Sequence, residues 1–313
     1  MRRLLKVAAW SLAVVVTLIA GAFGYGYYRV LSFDTESLPA HHGEVQAELF
    51  LGEGDRQLLV VGLGGSEGGN AWASDYWAEQ RGRLNDLGYA LLAVGYFGTD
   101  GTPTHLDRIS LDAIHAAARR ALDHPRVAGD CFAVVGGSRG AEAALLLGSH
   151  FSDVAVVIGI VPSSAVFPAL TMEGVTPGFS LGDRSLPFVP VPWSATPELL
   201  TGDMRGAFEK MMRDEQAMAD AAIEVEAING PVLFLSATRD EVWPSAEMSE
   251  AMMARLQDRR FPHHAVHIPI EGGHAAPLAH LDRVEAFLTE HFPADGLDRC
   301  RASGVRTEGV GDG

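Results

Sequence analysis

A chain of 313 residues, 47% of them apolar, is long enough to bury a sizeable core and reads as a folded protein. Its formal charge is −16; the first 29 residues hold four basic residues and no acidic ones, so the remainder carries 20 basic against 40 acidic residues, a net −20. That balance excludes nucleic-acid binding and offers no general attraction to polyanions, although a local arginine cluster can override such an average.

Arg2, Arg3 and Lys6 precede an uncharged, mostly apolar run over residues 7–28, whose 22 residues suffice for a helix across a bilayer. Ala20-Gly21-Ala22 also resembles a small-residue cleavage site, so a secreted protein with the signal removed is the alternative. Tyr25, Tyr27 and Tyr28 suit a membrane interface and favour an uncleaved anchor. Three basic residues before the run against Arg29 after it put the N-terminus inside and the rest of the chain outside the cytoplasm.

Residues 1–29 are thus read as a membrane anchor or signal segment, and 30–56 as a linker with an edge strand near 45–51. Residues 57–292 form one α/β domain, and 293–313 a mobile tail. Within the domain, strand-like runs at 58–62, 89–94, 131–135, 154–160, 231–236 and 265–270 alternate with helical patterns. These fall at 72–87, 110–123, 141–150, 245–258 and 279–292. The alternation predicts a mainly parallel sheet covered by helices on both faces. The interval 163–229 exceeds an ordinary connection and predicts a cap. Five prolines (Pro177, Pro187, Pro190, Pro192, Pro197) make its first half irregular, while 203–222 has a helical pattern. Its Phe167, Met172, Phe179, Trp193 and Met211 either line an adaptable apolar pocket or pack the cap onto the sheet.

The sequence Gly136-Gly137-Ser138-Arg139-Gly140 ends an apolar run and opens a small-residue helix, the pattern of a nucleophile elbow. Glycine is needed two residues before and two after the serine because strand and helix backbones approach too closely for a Cβ. A second copy, Gly64-Gly65-Ser66-Glu67-Gly68, is followed by Gly69 and Asn70, a poor helix start. Ser138 is therefore the expected nucleophile, with Ser66 its rival. The loop at 62–69 instead supplies backbone N–H groups, so the expected oxyanion hole joins the Arg139 N–H to one from Gly65 or Ser66. Asp240, in the turn after a strand, is the expected acid, with Glu241 beside it as a rival. His274, after the last strand, is the expected base.

Cys131 begins a strand and Cys300 lies in the tail; their spacing suggests neither a metal site nor a disulfide framework and leaves their pairing open. His263, His264 and His267 lack a partner set for a metal, and His41 and His42 are read as solvated. No metal or cofactor is expected.

Several of these segments together resemble the C-terminal catalytic domain of acyl-CoA thioesterases and bile acid-CoA:amino acid N-acyltransferases, within the α/β-hydrolase superfamily. Ser138-Arg139-Gly140-Ala141-Glu142 is similar to that family's elbow, and the likeness continues in Gly64-Gly65-Ser66-Glu67-Gly68-Gly69, Gly95-Tyr96-Phe97 and Leu106-Asp107-Arg108-Ile109-Ser110-Leu111. Val161-Pro162-Ser163-Ser164, Asp240 and His274 extend it. The resemblance implies an α/β-hydrolase fold and a serine hydrolase that cleaves a small-molecule acyl thioester or ester through an acyl-serine. The alternatives are acyl transfer to an amine or alcohol, and a non-catalytic binding protein on the same fold. The family's transferases use cysteine as nucleophile, and Ser138 resembles the thioesterase branch. Members that handle acyl-CoA carry a β-sandwich domain ahead of the hydrolase, whereas only about thirty residues separate the apolar run from Leu58.

Overall fold

Apolar runs without polar alternation become strands buried on both faces, as a parallel sheet requires. The computed structural model describes residues 2–293 and Cys300, so the rest of the expected tail lies outside the described residues. The chain opens with α1 (Arg2–Ser32), β1 (Gln46–Phe50), β2 (Gln57–Leu63), α2 (Ala78–Asp86) and β3 (Tyr89–Gly95). Next come β4 (Ile109–Ser110), α3 (Leu111–Leu122), β5 (Val127–Gly137), α4 (Arg139–His150) and β6 (Val154–Ile160). The cap contributes β7 (Phe179–Leu181), β8 (Arg184–Ser185), α5 (Thr196–Thr201), α6 (Met204–Met211) and α7 (Glu215–Asp220). β9 (Val232–Ala237), α8 (Ser245–Asp258), β10 (Ala265–Ile270) and α9 (Asp282–His291) complete the order.

Among the described residues the main sheet has seven strands in the order β1-β3-β2-β5-β6-β9-β10, all parallel except β1, the edge strand expected near 45–51. Amphipathic helices seal its two faces. α3 starts where Ser110 Oγ accepts the Ala113 N–H at 3.2 Å, and its stripe Leu111, Ile114, Ala117, Ala118 and Ala121 is buried. With α4 and α8 it covers one face, while Leu84 of α2 and Val284, Phe287 and Leu288 of α9 cover the other. The carboxyl ends of β2, β5, β9 and β10 lie on one side of the sheet, where ligands of open α/β sheets bind.

Three expected helices are shorter than their patterns. Residues 71–77 form two 3₁₀ turns, because the Trp72 ring lies against Gly62 and its Nε1 donates to the Leu63 carbonyl at 3.3 Å, pinning the backbone before α2 begins. The 203–222 pattern splits because Asp214 caps a new helix, accepting the Ala217 N–H at 3.0 Å. Residues 276–280 are also 3₁₀, ahead of α9. The cap's first half is not wholly irregular: β7 and β8 join β4 in a small second sheet.

One pairing left open by the sequence is now given, and one further expectation changes. Cys131 and Cys300 form a disulfide with Cα atoms 5.1 Å apart; at a sequence separation of 169, no local spacing could have signalled it. His42 is only half exposed, and its Nε2 lies 3.0 Å from Ser180 Oγ of β7, so it ties the linker to the cap.

Candidate active site

The turn from β5 into α4 follows from its glycines. A Cβ on Gly136 would come within 2.0 Å of the Gly140 carbonyl oxygen, and one on Gly140 within 2.3 Å of the Gly64 oxygen. Ser138 between them adopts φ +53°, ψ −120°, a conformation that costs a non-glycine residue about 1–3 kcal/mol. The surrounding bonds hold it there: its N–H donates to the Ile160 carbonyl at 2.8 Å, and its carbonyl accepts from Ala141 at 2.9 Å.

Ser138, His274 and Asp240 come together although they lie on three separate loops. His274 Nε2 is 3.1 Å from Ser138 Oγ, and its Nδ1 is 2.8 Å from Asp240 Oδ1. Asp240 is fully buried. Oδ1 also accepts the Val242 and Trp243 N–H groups at 3.0 and 3.2 Å, and Oδ2 accepts the Ser245 hydroxyl at 2.6 Å. Burial alone would raise its pKa, but the bonds from His274 and Ser245 outweigh that and hold the carboxyl below the ordinary range. Glu241, the rival acid, takes a different part of the same residue: its Oε2 accepts the His274 backbone N–H at 2.8 Å.

The other serine is differently placed. Ser66 is exposed on the turn after β2, with Gly68 and Gly69 at φ +69° and +72°, and among the described residues no histidine bonds to it. The loop nevertheless reaches the elbow, since a Cβ on Gly65 would sit 3.2 Å from Ser138 Cβ. The Gly65 N–H is already engaged, donating to Glu67 Oε1 at 2.9 Å. The Ser66 and Arg139 N–H groups donate to no backbone carbonyl among the described residues.

The Arg139 side chain points away into the protein, where Nη1 meets Glu142 Oε2 at 3.0 Å and Nη2 bonds the Phe167 and Pro168 carbonyls at 3.2 and 3.0 Å. Glu142 also accepts the Phe167 N–H at 3.2 Å. Burial pushes the Glu142 carboxyl up to about 7, with Arg139 opposing.

Sequence reasoning missed the walls of the crevice. A pocket of about 190 Å³ at Ser138 and His274 is lined by Trp72, Trp77, Ile160, Val161 and Leu278, with the two indoles stacked at 4.4 Å. The only signal was the two tryptophans' position just after the glycine-rich loop. Of the cap's apolar residues, Phe167, Phe179 and Met211 are buried in packing, whereas Met172 and Trp193 are exposed. A larger groove of about 670 Å³ lies elsewhere, between α1 and the cap, and none of its lining residues is among the site residues.

Comparison with known proteins agrees with this architecture. Solved structures of similar fold include a Mycobacterium tuberculosis puromycin-hydrolyzing peptidase (TM-score 0.54, 16% identity, 82% of this chain and 39% of that one). Another is the alpha/beta hydrolase GrgF from Penicillium sp. sh18 (TM-score 0.50, 12% identity, 79% and 94%). At these identities the likeness concerns the fold alone, which is that of the α/β hydrolases. Among curated proteins, the chain is 28% identical over 224 residues to acyl-coenzyme A thioesterase 6 of Mus musculus, covering 70% of this chain and 49% of the relative. It is 26% identical over 226 residues to the peroxisomal succinyl-coenzyme A thioesterase of Mus musculus, with coverage of 70% and 49%. It is 27% identical over 219 residues to acyl-coenzyme A amino acid N-acyltransferase 2 of Rattus norvegicus, with coverage of 69% and 48%. The chain thus spans about half the length of these relatives. Residues 109–278, more than half of the chain and including Ser138, Asp240 and His274, match the family model, and the protein belongs to the BAAT / Acyl-CoA thioester hydrolase C terminal family.

Proposed function

We propose that the protein is a membrane-anchored serine hydrolase that cleaves an acyl thioester or ester of a small molecule. The observation that carries this reading is the hydrogen-bonded chain from Ser138 through His274 to Asp240, at 3.1 and 2.8 Å. In the proposed reaction His274 Nε2 takes the hydroxyl proton as Ser138 Oγ attacks the acyl carbonyl, and the C–O or C–S bond breaks as that proton passes to the leaving group. The acyl-Ser138 intermediate is then attacked by water, whose proton returns through His274, releasing the acid. Asp240, held ionised, fixes the imidazole tautomer and orientation and faces the positive charge that develops on the ring in the transition state. The Arg139 N–H at the start of α4 and the Ser66 N–H receive the oxyanion, while the Gly65 N–H is occupied by Glu67. The apolar crevice walled by Trp72, Trp77 and Leu278 suits an acyl group.

The span Trp10–Ser32 is apolar enough to cross a bilayer, and the Cys131–Cys300 disulfide supports a domain in an oxidising compartment. This topology separates the site from cytoplasmic coenzyme A, so the thioesterase names of the relatives give the bond type and leave the carrier open. The test is a fluorophosphonate probe with a panel of acyl esters and thioesters. Ser138→Ala is expected to lose labelling and several orders of magnitude of turnover. Ser66→Ala keeps labelling and costs at most about 10²-fold, the scale of disturbing one oxyanion donor. Labelling that survives Ser138→Ala sinks the proposal.

A further inference from the structure

The last turns of α1 do not stand clear of the domain. The Tyr27 ring lies 6.2 Å from that of Trp193 in the cap, and the Arg29 guanidinium bonds the Glu173 carboxylate. The groove of about 670 Å³ lies between α1 residues 22–30 and cap residues that include Met172, Trp193, Leu199 and Leu200. The chain leaving the helix is also fastened. Arg108 Nη1 donates to the Thr35 and Ser37 carbonyls at 3.0 and 2.9 Å, and its guanidinium is held by Asp107 at 2.9 Å. These contacts fasten the end of the helix to the domain, and the His42–Ser180 bond at 3.0 Å carries the attachment to the cap.

That attachment sets a depth. A helix rises about 1.5 Å per residue, so about 20 residues cross roughly 30 Å of hydrocarbon. Lys6 and Arg29 bound the uncharged run and mark its two headgroup levels; counted from Lys6, that length ends near Gly26, which leaves Phe23 in the hydrocarbon and Tyr27 and Arg29 among the headgroups, so the last residues of the apolar stretch Trp10–Ser32 lie beyond the hydrocarbon. Cap residues across the groove from 22–30 share this depth. They are also where the domain exposes its apolar surface: of the nine large apolar side chains exposed beyond residue 32 among the described residues, six fall between 170 and 204, including Met172 at 86%, Leu200 at 76% and Trp193 at 63%. A body of net charge −20 has no solubility reason to gather four of them, Met172, Trp193, Leu199 and Leu200, around one groove.

We infer that the cap face bearing Met172, Trp193, Leu199 and Leu200 is seated in the outer leaflet of the membrane that α1 crosses, with lipid acyl chains filling the groove. The inference rests on α1 being an uncleaved span. Trp193 and Tyr27 then form an interfacial aromatic pair, and the Arg29–Glu173 ion pair sits at headgroup level.

The test uses the full chain in phosphatidylcholine nanodiscs containing a phosphatidylcholine with a diazirine in its acyl chain, with photo-adducts mapped by mass spectrometry. Adducts are expected on α1 and also on residues 170–204. The doubly substituted Met172→Asp, Leu200→Asp protein changes only exposed side chains, and an unchanged thermal midpoint checks that its fold is kept. It is expected to lose cap adducts by about tenfold while keeping those on α1. Adducts on α1 alone, or cap adducts indifferent to the two aspartates, overturn the inference while the anchor stands. Cap residues that take no lipid adducts but are joined between copies by an added bifunctional crosslinker overturn it in favour of a dimer face. A protein without α1 adducts that leaves the membrane fraction under alkaline wash overturns the anchor and the inference together.

Discussion

Asp240→Asn discriminates sharply because four donors converge on that carboxylate. An asparagine must turn its NH₂ group toward one side. At the Oδ1 position it would oppose the half-buried Val242 and buried Trp243 N–H groups, leaving two fixed donors unpaired at up to about 1–3 kcal/mol each. At the Oδ2 position it meets only the Ser245 hydroxyl, which can rotate to accept. The amide therefore keeps its oxygen toward His274, and the ring keeps its Nδ1 proton. What disappears is the negative charge beside an imidazolium in the transition state. With charges about 4 Å apart in an effective dielectric of about 20, that is worth roughly 3–4 kcal/mol, or 10²–10³ in kcat. This is smaller than the drop of about 10⁴ that follows when the tautomer is reversed. The assay pairs kcat on a soluble chromogenic ester with proton NMR of the Nδ1–H resonance, which should persist. A loss of about 10⁴ with that resonance gone would show that the amide is turned the other way. An undiminished kcat would remove Asp240 from the mechanism.

The rival acid gives the complementary result: Glu241→Gln keeps an acceptor for the His274 N–H and is expected to cost less than about tenfold in kcat, so a loss exceeding that of Asp240→Asn would shift the acid by one residue. Glu142 makes stability depend on pH. The folded state holds its proton more tightly than the unfolded chain, so its contribution is complete below the ordinary value of 4.5 and is lost as pH rises through about 7. Across that window wild type should lose up to about 3 kcal/mol relative to Glu142→Gln, measured by urea unfolding at several pH values; parallel curves would refute it. Alkaline carbonate should leave the full chain in the membrane fraction, whereas an N-terminus at Phe23 would show signal cleavage. Native protein should be two hydrogens lighter than reduced protein. Reduction should also lower the thermal midpoint, since closing a loop this long is worth on the order of 4–5 kcal/mol. Free thiols at both positions in native protein would count against the disulfide.

The features legible in the sequence are those set by local chemistry. The continuous apolar runs of β2, β3 and β9 read as strands buried on both faces, and they are, whereas the 265–270 run is the half-exposed edge strand β10. Gly136 and Gly140 could be read as obligatory because an elbow leaves no room there, and the distances to Gly140 and Gly64 give the same reason. The order of Ser138, Asp240 and His274 anticipated three loops at one end of the sheet. The illegible features depend on partners distant in sequence. Trp72 sits in a 3₁₀ turn because Gly62 offers a flat bed for its indole, which no helical periodicity encodes. The bond from Gly65 to Glu67 and that from Glu241 to the His274 N–H depend on how acidic side chains fold back onto loops. His42 looked solvated because Ser180, its partner, is 138 residues away.

Arg139 shows why two demands can meet on one residue. Its main chain follows Ser138, where the first N–H groups of α4 lack intrahelical partners and the proposed oxyanion would bind. Its side chain is buried and holds the base of the cap through the Phe167 and Pro168 carbonyls, with the Phe179 ring 5.8 Å from the guanidinium. Glu142, one turn on, grips the Phe167 N–H from the same helix. Once Glu142 is ionised, above about pH 7, a buried ion pair of this kind gives little net stability, but removing one partner strands the other charge at a cost of roughly 3–5 kcal/mol. The pair is therefore better understood as fixing geometry than as adding stability: it prevents the cap base from moving independently of the first turn of α4. A displacement of residues 167–168 must either break these bonds or shift the backbone next to Ser138.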